Sequence, residues 1–392
     1  MTSLRERIRT TVKYLVIAAL VLSVAGLFGG LFVMISGIVP IKASSGHWSI
    51  TAAILDFAKR RSVETHTFRV TPPSLDDPAM VLKGAGHYDF ACEPCHGSPV
   101  LQQPRIAGAM TPRPPDLRTA SLTYDPEDLF YIVKHGIKFT GMPAWPAQER
   151  DDEVWAMVAF LQTLPKLDAN GYQELAGVNM AAPDDRPQPE PLLGPAPPVP
   201  DIVTTSCARC HGIDGRGRGT GAFPRLDGQR MEYLSGSLVA FGRGERNSGV
   251  MEPLVAHLGT DEIRAIAQYY SGVAADGPRP SSSLDAGALE RGRQIASKGD
   301  PGRLVPACRE CHGPGVTRNP NYPRLAGQYE NYIELQLQLF RSHSRGGTEY
   351  RDIMMKVAGQ LTEEQIRDVA QYYASLPTER GQSQATRELA HK

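Results

Sequence analysis

The 392-residue chain lacks a net charge, with 42 Lys and Arg against 42 Asp and Glu. That absence removes the broad basic surface by which proteins bind polyanions, so nucleic acid is not an expected partner. Cysteine is scarce, at six residues, and aromatic residues make up only 7%. No segment alternates apolar and polar residues in the manner of a half-buried strand. One stretch lacks charge altogether, from Tyr14 to Ile41. Proline and glycine are plentiful by contrast, at 32 and 38, and signal extensive loop and linker. With 41% hydrophobic and 21% charged residues, the composition excludes a wholly disordered, collagen-like or polytopic membrane chain. The length suits roughly two to four domains.

The charge-free stretch contains 25 mostly apolar residues from Leu15 to Val39, enough to cross a hydrocarbon layer of about 30 Å. A cleavable signal has an apolar region of only about 7–15 residues, so an uncleaved anchor within residues 1–45 is expected. Arg5, Arg7, Arg9 and Lys13 precede it, which puts the N-terminus in the cytoplasm and the rest on the far side, the periplasm in a bacterium. In residues 46–71, Trp48, Ile50, Ala53, Ile54, Phe57 and Ala58 recur at three- and four-residue spacing before Lys59, Arg60 and Arg61. This reads as an amphipathic helix whose apolar face suits the membrane–water interface, a partner subunit or the first folded region equally. Residues 1–71 carry nine basic and three acidic residues, and 72–180 eight and fourteen, so the first folded region is the acidic one.

All six cysteines fall in three copies of one pentapeptide: Cys92-Glu93-Pro94-Cys95-His96, Cys207-Ala208-Arg209-Cys210-His211 and Cys308-Arg309-Glu310-Cys311-His312. Cys-x-x-Cys-His is the c-type haem attachment motif: two thiols one turn apart form thioethers with the porphyrin vinyls, and the next imidazole becomes an axial iron ligand. For one copy, disulfides, a redox pair or zinc remain open. Zinc needs four converging ligands, however, and a redox pair does not need His after its second Cys three times over. Three covalent haem c groups are expected, together binding Cys92, Cys95, His96, Cys207, Cys210, His211, Cys308, Cys311 and His312. Their attachment outside the bacterial cytoplasm agrees with the expected topology.

A sixth iron ligand of the cytochrome c type would be methionine. Met142 follows Cys95 by 47 residues, Met251 follows Cys210 by 41, and Met354 follows Cys311 by 43. A repeat ties the last two. Residues 263–270 (IRAIAQYY) match 366–373 (IRDVAQYY) at an offset of 103, which also carries Met251 to Met354 and leaves Met355 as a neighbour. Met110, His135 and His257 are weaker competitors. A second repeat, Phe223–Gln229 against Tyr322–Gln328 at an offset of 99, makes residues 201–275 and 285–380 two copies of one domain. Residues 72–180 share the motif order without these sequences. Eight prolines in residues 181–200 make a semi-rigid spacer, and Ala274–Ser283 is a shorter linker. Helices are expected around each motif: Val154, Trp155, Val158, Ala159 and Leu161 form an apolar face behind Asp151-Asp152-Glu153, and Thr362 with Gln365 makes a capping box.

These residues resemble class I c-type cytochromes, and residues 201–377 resemble dihaem cytochrome c4 through their Pro-Arg-Leu, distal Met and Ala-Gln-Tyr-Tyr elements. The resemblance implies an all-α fold: an N-terminal transmembrane helix followed by three class I cytochrome c-type helical haem domains. It implies further that a proline carbonyl orients each motif histidine, Pro224 and Pro323 in the repeated copies and Pro112 or Pro115 in the first. It also makes Arg225 and Arg324 contacts for haem propionates. The segment before Cys207 is too short for the usual N-terminal helix, so that region would borrow packing from a neighbour. The implied function is a membrane-tethered electron relay whose redox partner is a terminal cytochrome c oxidase. A cytochrome subunit of a periplasmic quinoprotein or flavin dehydrogenase is the alternative, and a haem peroxidase or reductase the reading from a different class.

Overall fold

The computed structural model describes residues 4–39, 41–177, 199–273, 285–313 and 319–378. The proline-rich spacer, apart from residues 199–200, and the 274–283 linker lie outside them. Among the described residues the regular structure is helical without strands, and two isolated bridges, Arg246–Gly346 and Asp300–Val305, are the only pairings of the β type.

Helix α1 (Leu4–Ser36) opens with a charged turn and is apolar on every side from Tyr14 onward; its most apolar 18 residues have mean hydropathy 2.5 and none of them is buried against the protein. Its 33 residues extend about 50 Å. Within the apolar stretch the Ser23 hydroxyl donates to the Ala19 carbonyl (2.8 Å), which satisfies a group that hydrocarbon could not. Helix α2 (Ser49–Thr67) follows after a short connection.

The first core is built by α3 (Pro78–Ala91), the motif turn α4 (Glu93–His96), the one-turn α5 (Arg105–Gly108) and α6 (Leu117–Ala120), α7 (Pro126–His135), α8 (Asp151–Thr163) and α9 (Ala169–Ala176). Asp77 caps α3 by accepting the Ala79 N–H (2.9 Å), with Pro78 at the first helical position where its missing N–H costs nothing. α3 crosses α8 closely because position 84 has no side chain: a Cβ on Gly84 would fall 2.1 Å from the Ala156 carbonyl oxygen. Tyr88, Met157, Phe160 and Tyr172 fill the space around this crossing.

The second region comprises α10 (Ala208–His211), α11 (Met231–Gly242), α12 (Met251–Val255) and α13 (Thr260–Gly272). The third comprises α14 (Ala286–Lys298), α15 (Arg309–His312), α16 (Glu330–Arg341), α17 (Arg351–Gln360) and α18 (Glu363–Ser375). α14 crosses α18 as α3 crosses α8, with Gly292 in the role of Gly84, 2.1 Å from the Asp368 carbonyl oxygen by the same measure. The capping box read from Thr362 and Gln365 starts α18.

Only a π-helical turn, Val203–Cys207, precedes the second motif. The missing helix is replaced by the far side of α3: a Cβ on Gly86 would touch Cys210 Sγ (3.1 Å) and the Phe223 ring (3.3 Å), and Asp89 forms an ion pair with Arg209. Arg218 adds a bond to the Leu175 carbonyl at the end of α9 (2.7 Å). One helix thus serves two haem motifs, Gly84 and Tyr88 facing α8 while Gly86 and Asp89 face α10. The second and third regions meet through their repeat. Gln229 Nε2 donates to the Arg324 carbonyl (2.6 Å) and its Oε1 accepts the Arg324 N–H (3.0 Å), while Gln328 makes the matching pair with Arg225 (both 3.0 Å).

Candidate haem-binding sites

Each motif forms a single helical turn, in which the His96 and His312 N–H groups reach back to the carbonyls of Cys92 and Cys308 (both 2.9 Å). The turn brings both thiols and the imidazole to one place. Each imidazole Nδ1 donates to a proline carbonyl: His96 to Pro115 (2.8 Å), His211 to Pro224 (3.2 Å) and His312 to Pro323 (2.9 Å). The choice between Pro112 and Pro115 falls to Pro115. A carbonyl only accepts, so Nδ1 carries the proton and Nε2 keeps its lone pair for a metal. Burial lowers all three histidine pKa values against the opposing pull of those carbonyls, which favours the neutral, ligating form. Tyr88 and Tyr270 hydroxyls hold the carbonyls that follow the motifs, at Gly97 (2.6 Å) and Gly212 (3.0 Å). In the first site Gln103 closes the loop by donating to the Cys95 (2.9 Å) and Pro114 (2.8 Å) carbonyls.

The thiols fit thioether formation better than redox chemistry. Burial pushes Cys92 and Cys207 up to about 12, and Cys210 and Cys308 to about 11. They are uncharged in apolar surroundings, where a redox pair needs a stabilised thiolate. Among the described residues no group of three or more His, Cys, Asp or Glu is arranged to hold a metal ion by itself.

The expected distal methionines are all half-buried. Met142 lies in a loop tied to the end of α7 by the Ile137 N–H to the Met142 carbonyl (3.2 Å) and the Trp145 N–H to the Lys134 carbonyl (2.9 Å). Gly136 permits that closure, with φ +63° and Pro143 where a side chain would be (2.5 Å). Met110 packs its methyl into the space beside Gly141, one residue from Met142. Met251 opens α12, its N–H bonded to Ser248 Oγ (3.1 Å), and Met354 sits in α17 against the third core. His135 and His257 are exposed, His135 tilted on Tyr131 (4.6 Å).

Two features had no reading in the sequence. Arg246 and Arg345, equivalent at offset 99, are buried where the repeats meet, stacked on Phe241 and Phe340 (both 4.4 Å). Arg246 donates to Ser237 Oγ (3.0 Å), Tyr332 OH (3.1 Å) and Gln336 Oε1 (3.3 Å), and Arg345 to the same Gln336 oxygen (2.8 Å). Neither has a carboxylate partner among the described residues, and burial together with the like charge of Arg246 lowers the Arg345 pKa to about 10. Buried cations call for anions, and haem propionates are anions of the right class. Of the arginines expected to meet propionates, Arg225 pairs with Asp227 (Nε–Oδ1 2.9 Å) and Arg324 reaches the Gly228 carbonyl (2.7 Å). The signal was present in the repeat, which carries Phe241 and Arg246 onto Phe340 and Arg345.

The second feature is a junction. Buried Glu153 accepts bonds from Trp145 Nε1 (3.2 Å), Ser248 Oγ (2.7 Å) and the Gly249 N–H (2.7 Å), and pairs with Arg150 (3.0 Å). Arg150 reaches the Asn247 carbonyl (2.7 Å), and the Asn247 N–H donates to the Arg345 carbonyl (3.2 Å). The loop before Met251 is therefore held by all three regions.

Comparison with known proteins agrees with this architecture. Residues 79–161 match the family described as cytochrome c oxidase, cbb3-type, subunit III, and residues 289–377 match the cytochrome c family. The chain is 37% identical over 173 residues to the thiosulfate dehydrogenase electron acceptor of Thiomonas intermedia (strain K12), covering 44% of this chain and 79% of that protein. It is 34% identical to cytochrome c-552 of Acidithiobacillus ferridurans (46% and 77%) and 30% identical to cytochrome c4 of Thiocapsa roseopersicina (43% and 86%). Three attachment motifs, each with its histidine oriented by a proline carbonyl, and relatives of this similarity make the chain a member of the cytochrome c family, an electron-transfer protein with covalent haem c whose C-terminal half is of the dihaem cytochrome c4 type.

Proposed function

We propose that the chain is a membrane-tethered periplasmic relay with three haem domains, receiving single electrons at its C-terminal pair and delivering them from its first domain to a terminal oxidase in the same membrane. When bound, the haems supply one-electron chemistry. His96, His211 and His312, together with Met142, Met251 and Met354, would hold the irons; Arg246 and Arg345 would balance propionate charge, and the three cores would exclude water. α1 is the anchor.

The observation that carries this reading is the junction at Asn247, Ser248 and Gly249, which packs the three motif regions into one body. Fixed spacing of this kind suits transfer along the chain better than three independent carriers would. The direction is supported by the relatives: those of the paired type include acceptors for thiosulfate dehydrogenase, while the first region matches an oxidase subunit family. A periplasmic dehydrogenase is therefore the proposed donor, with a sulfur oxyanion as its substrate. In the test, membranes from cells with and without the gene for the chain are given thiosulfate and thiosulfate dehydrogenase. The chain should be reduced, and oxygen uptake should depend on it. Reduction without dependent oxygen uptake would leave the donor and remove the oxidase.

A further inference from the structure

α2 has two opposite faces. One is seated on the first core: Val63 and Thr67 are buried, Thr67 Oγ1 donates to Asp128 (2.8 Å) and His66 stacks on Tyr131 (5.3 Å). At about 100° per residue, positions 50, 54, 57 and 61 lie on the opposite side. Ile50, Ile54 and Phe57 stand there exposed by 70%, 61% and 66%, with Trp48 at 67% just before the helix, and Arg61, paired with Glu64, ends the row. A surface helix ordinarily turns its polar face to water. Here the outward face is the apolar one, and the other face is already occupied.

Its position says what covers it. Twelve residues separate the end of α1 at Ser36 from the start of α2 at Ser49, and Thr111 Oγ1 pins that connection by donating to the Ala43 carbonyl (2.7 Å). Thr111 adjoins Met110, which touches Gly141, so the connection lies against the loop of the first site. On the α2 side of the span, residues 42–71 carry five basic residues against two acidic, a net of three positive charges that suits anionic headgroups. Trp48 stands where aromatic residues mark the boundary between hydrocarbon and water.

We infer that the outward face of α2, formed by Trp48, Ile50, Ile54 and Phe57, lies in the headgroup layer of the bilayer that α1 crosses. α2 is a second, in-plane membrane contact, and it holds the first haem site beside the lipid surface. This rests on the anchor reading of α1.

Thioether formation uses every native cysteine, so an introduced one is the only reactive thiol in the holoprotein. Full-length Ile54→Cys and Ser62→Cys holoproteins, reconstituted in vesicles of phosphatidylcholine and phosphatidylglycerol alone, are treated with a charged maleimide after flotation; Ser62 is exposed and turned off the outward face. Ile54→Cys should react at least about tenfold more slowly than Ser62→Cys. Equal rates in vesicle-bound protein would overturn the inference and leave the anchor standing. So would protection seen only in native membranes, which would assign the face to a protein partner. A chain that fails to float with the vesicles would overturn the anchor, and this contact with it.

Discussion

His87 lies in α3 with its ring 4.7 Å from Trp145 and no hydrogen-bond partner at Nδ1. Burial lowers its pKa to about 4, whereas an unfolded histidine protonates near 6.5. Between these values only the unfolded chain binds the proton, so stability is complete above pH 6.5 and falls by about 1.4 kcal/mol per unit as pH drops toward 4. Denaturant unfolding at pH 7 and pH 5 should differ by about 2 kcal/mol from this residue, and His87→Phe should remove that difference. An unchanged difference in the variant would assign the proton to another group. At the ligand positions, Met142→Ala, Met251→Ala or Met354→Ala should leave three haems attached while each removes one third of the sulfur-to-iron absorption of the oxidised protein. Loss of that absorption in Met110→Ala but not Met142→Ala would exchange their roles.

Helix crossings supply a sharper test of packing. Gly84→Ala and Gly292→Ala each drive a methyl into a backbone carbonyl and should cost at least about 1–3 kcal/mol, read as a lowered Tm. Gly86→Ala meets Cys210 Sγ and Phe223 at 3.1 and 3.3 Å and should be milder in Tm. At the junction, Glu153→Gln keeps the shape but exchanges an acceptor for a donor and leaves the Arg150 charge less balanced. About 1–3 kcal/mol of stability should be lost. The midpoint potential of the second haem should move, because Ser248 positions the Met251 N–H, while that of the third stays. Equal shifts in all three would mean that the junction does not act through the Met251 loop. Much of this architecture was legible at the level of elements: the charge-free stretch of α1, the capping box of α18, and the motif turns with their proline carbonyls at Pro224 and Pro323. The sharing of α3 was not, because it depends on Gly86 and Asp89 facing away from Gly84 and Tyr88, and no periodicity records which helix stands opposite. The partners of Arg225 and Arg324 were not legible, because repetition marks a position without naming its partner. Asp227 takes the guanidinium of one copy, and Ala326 stands at the equivalent place in the other. Arg246 and Arg345 escaped notice because the groups that would balance them are not amino acids.

For the whole molecule, denatured chain should retain three haems by pyridine haemochrome assay, and a count of two would show one motif unused. The chain should stay with membranes after salt washing. Release of a mature form cleaved near Ala43 would overturn the anchor. The bond from Thr111 to Ala43 then has a kinetic meaning. Twelve residues span at most about 43 Å, and the pinned segment spans less, so with α1 in a bilayer the first site would stay within one protein diameter of the lipid. Encounter with an integral partner would then be a search over an area instead of a volume. Its effective concentration is set by the crowding of the membrane and by the length of the tether. Lengthening residues 37–42 with a flexible insert should slow the exchange of electrons with a membrane partner while leaving exchange with a soluble donor unchanged.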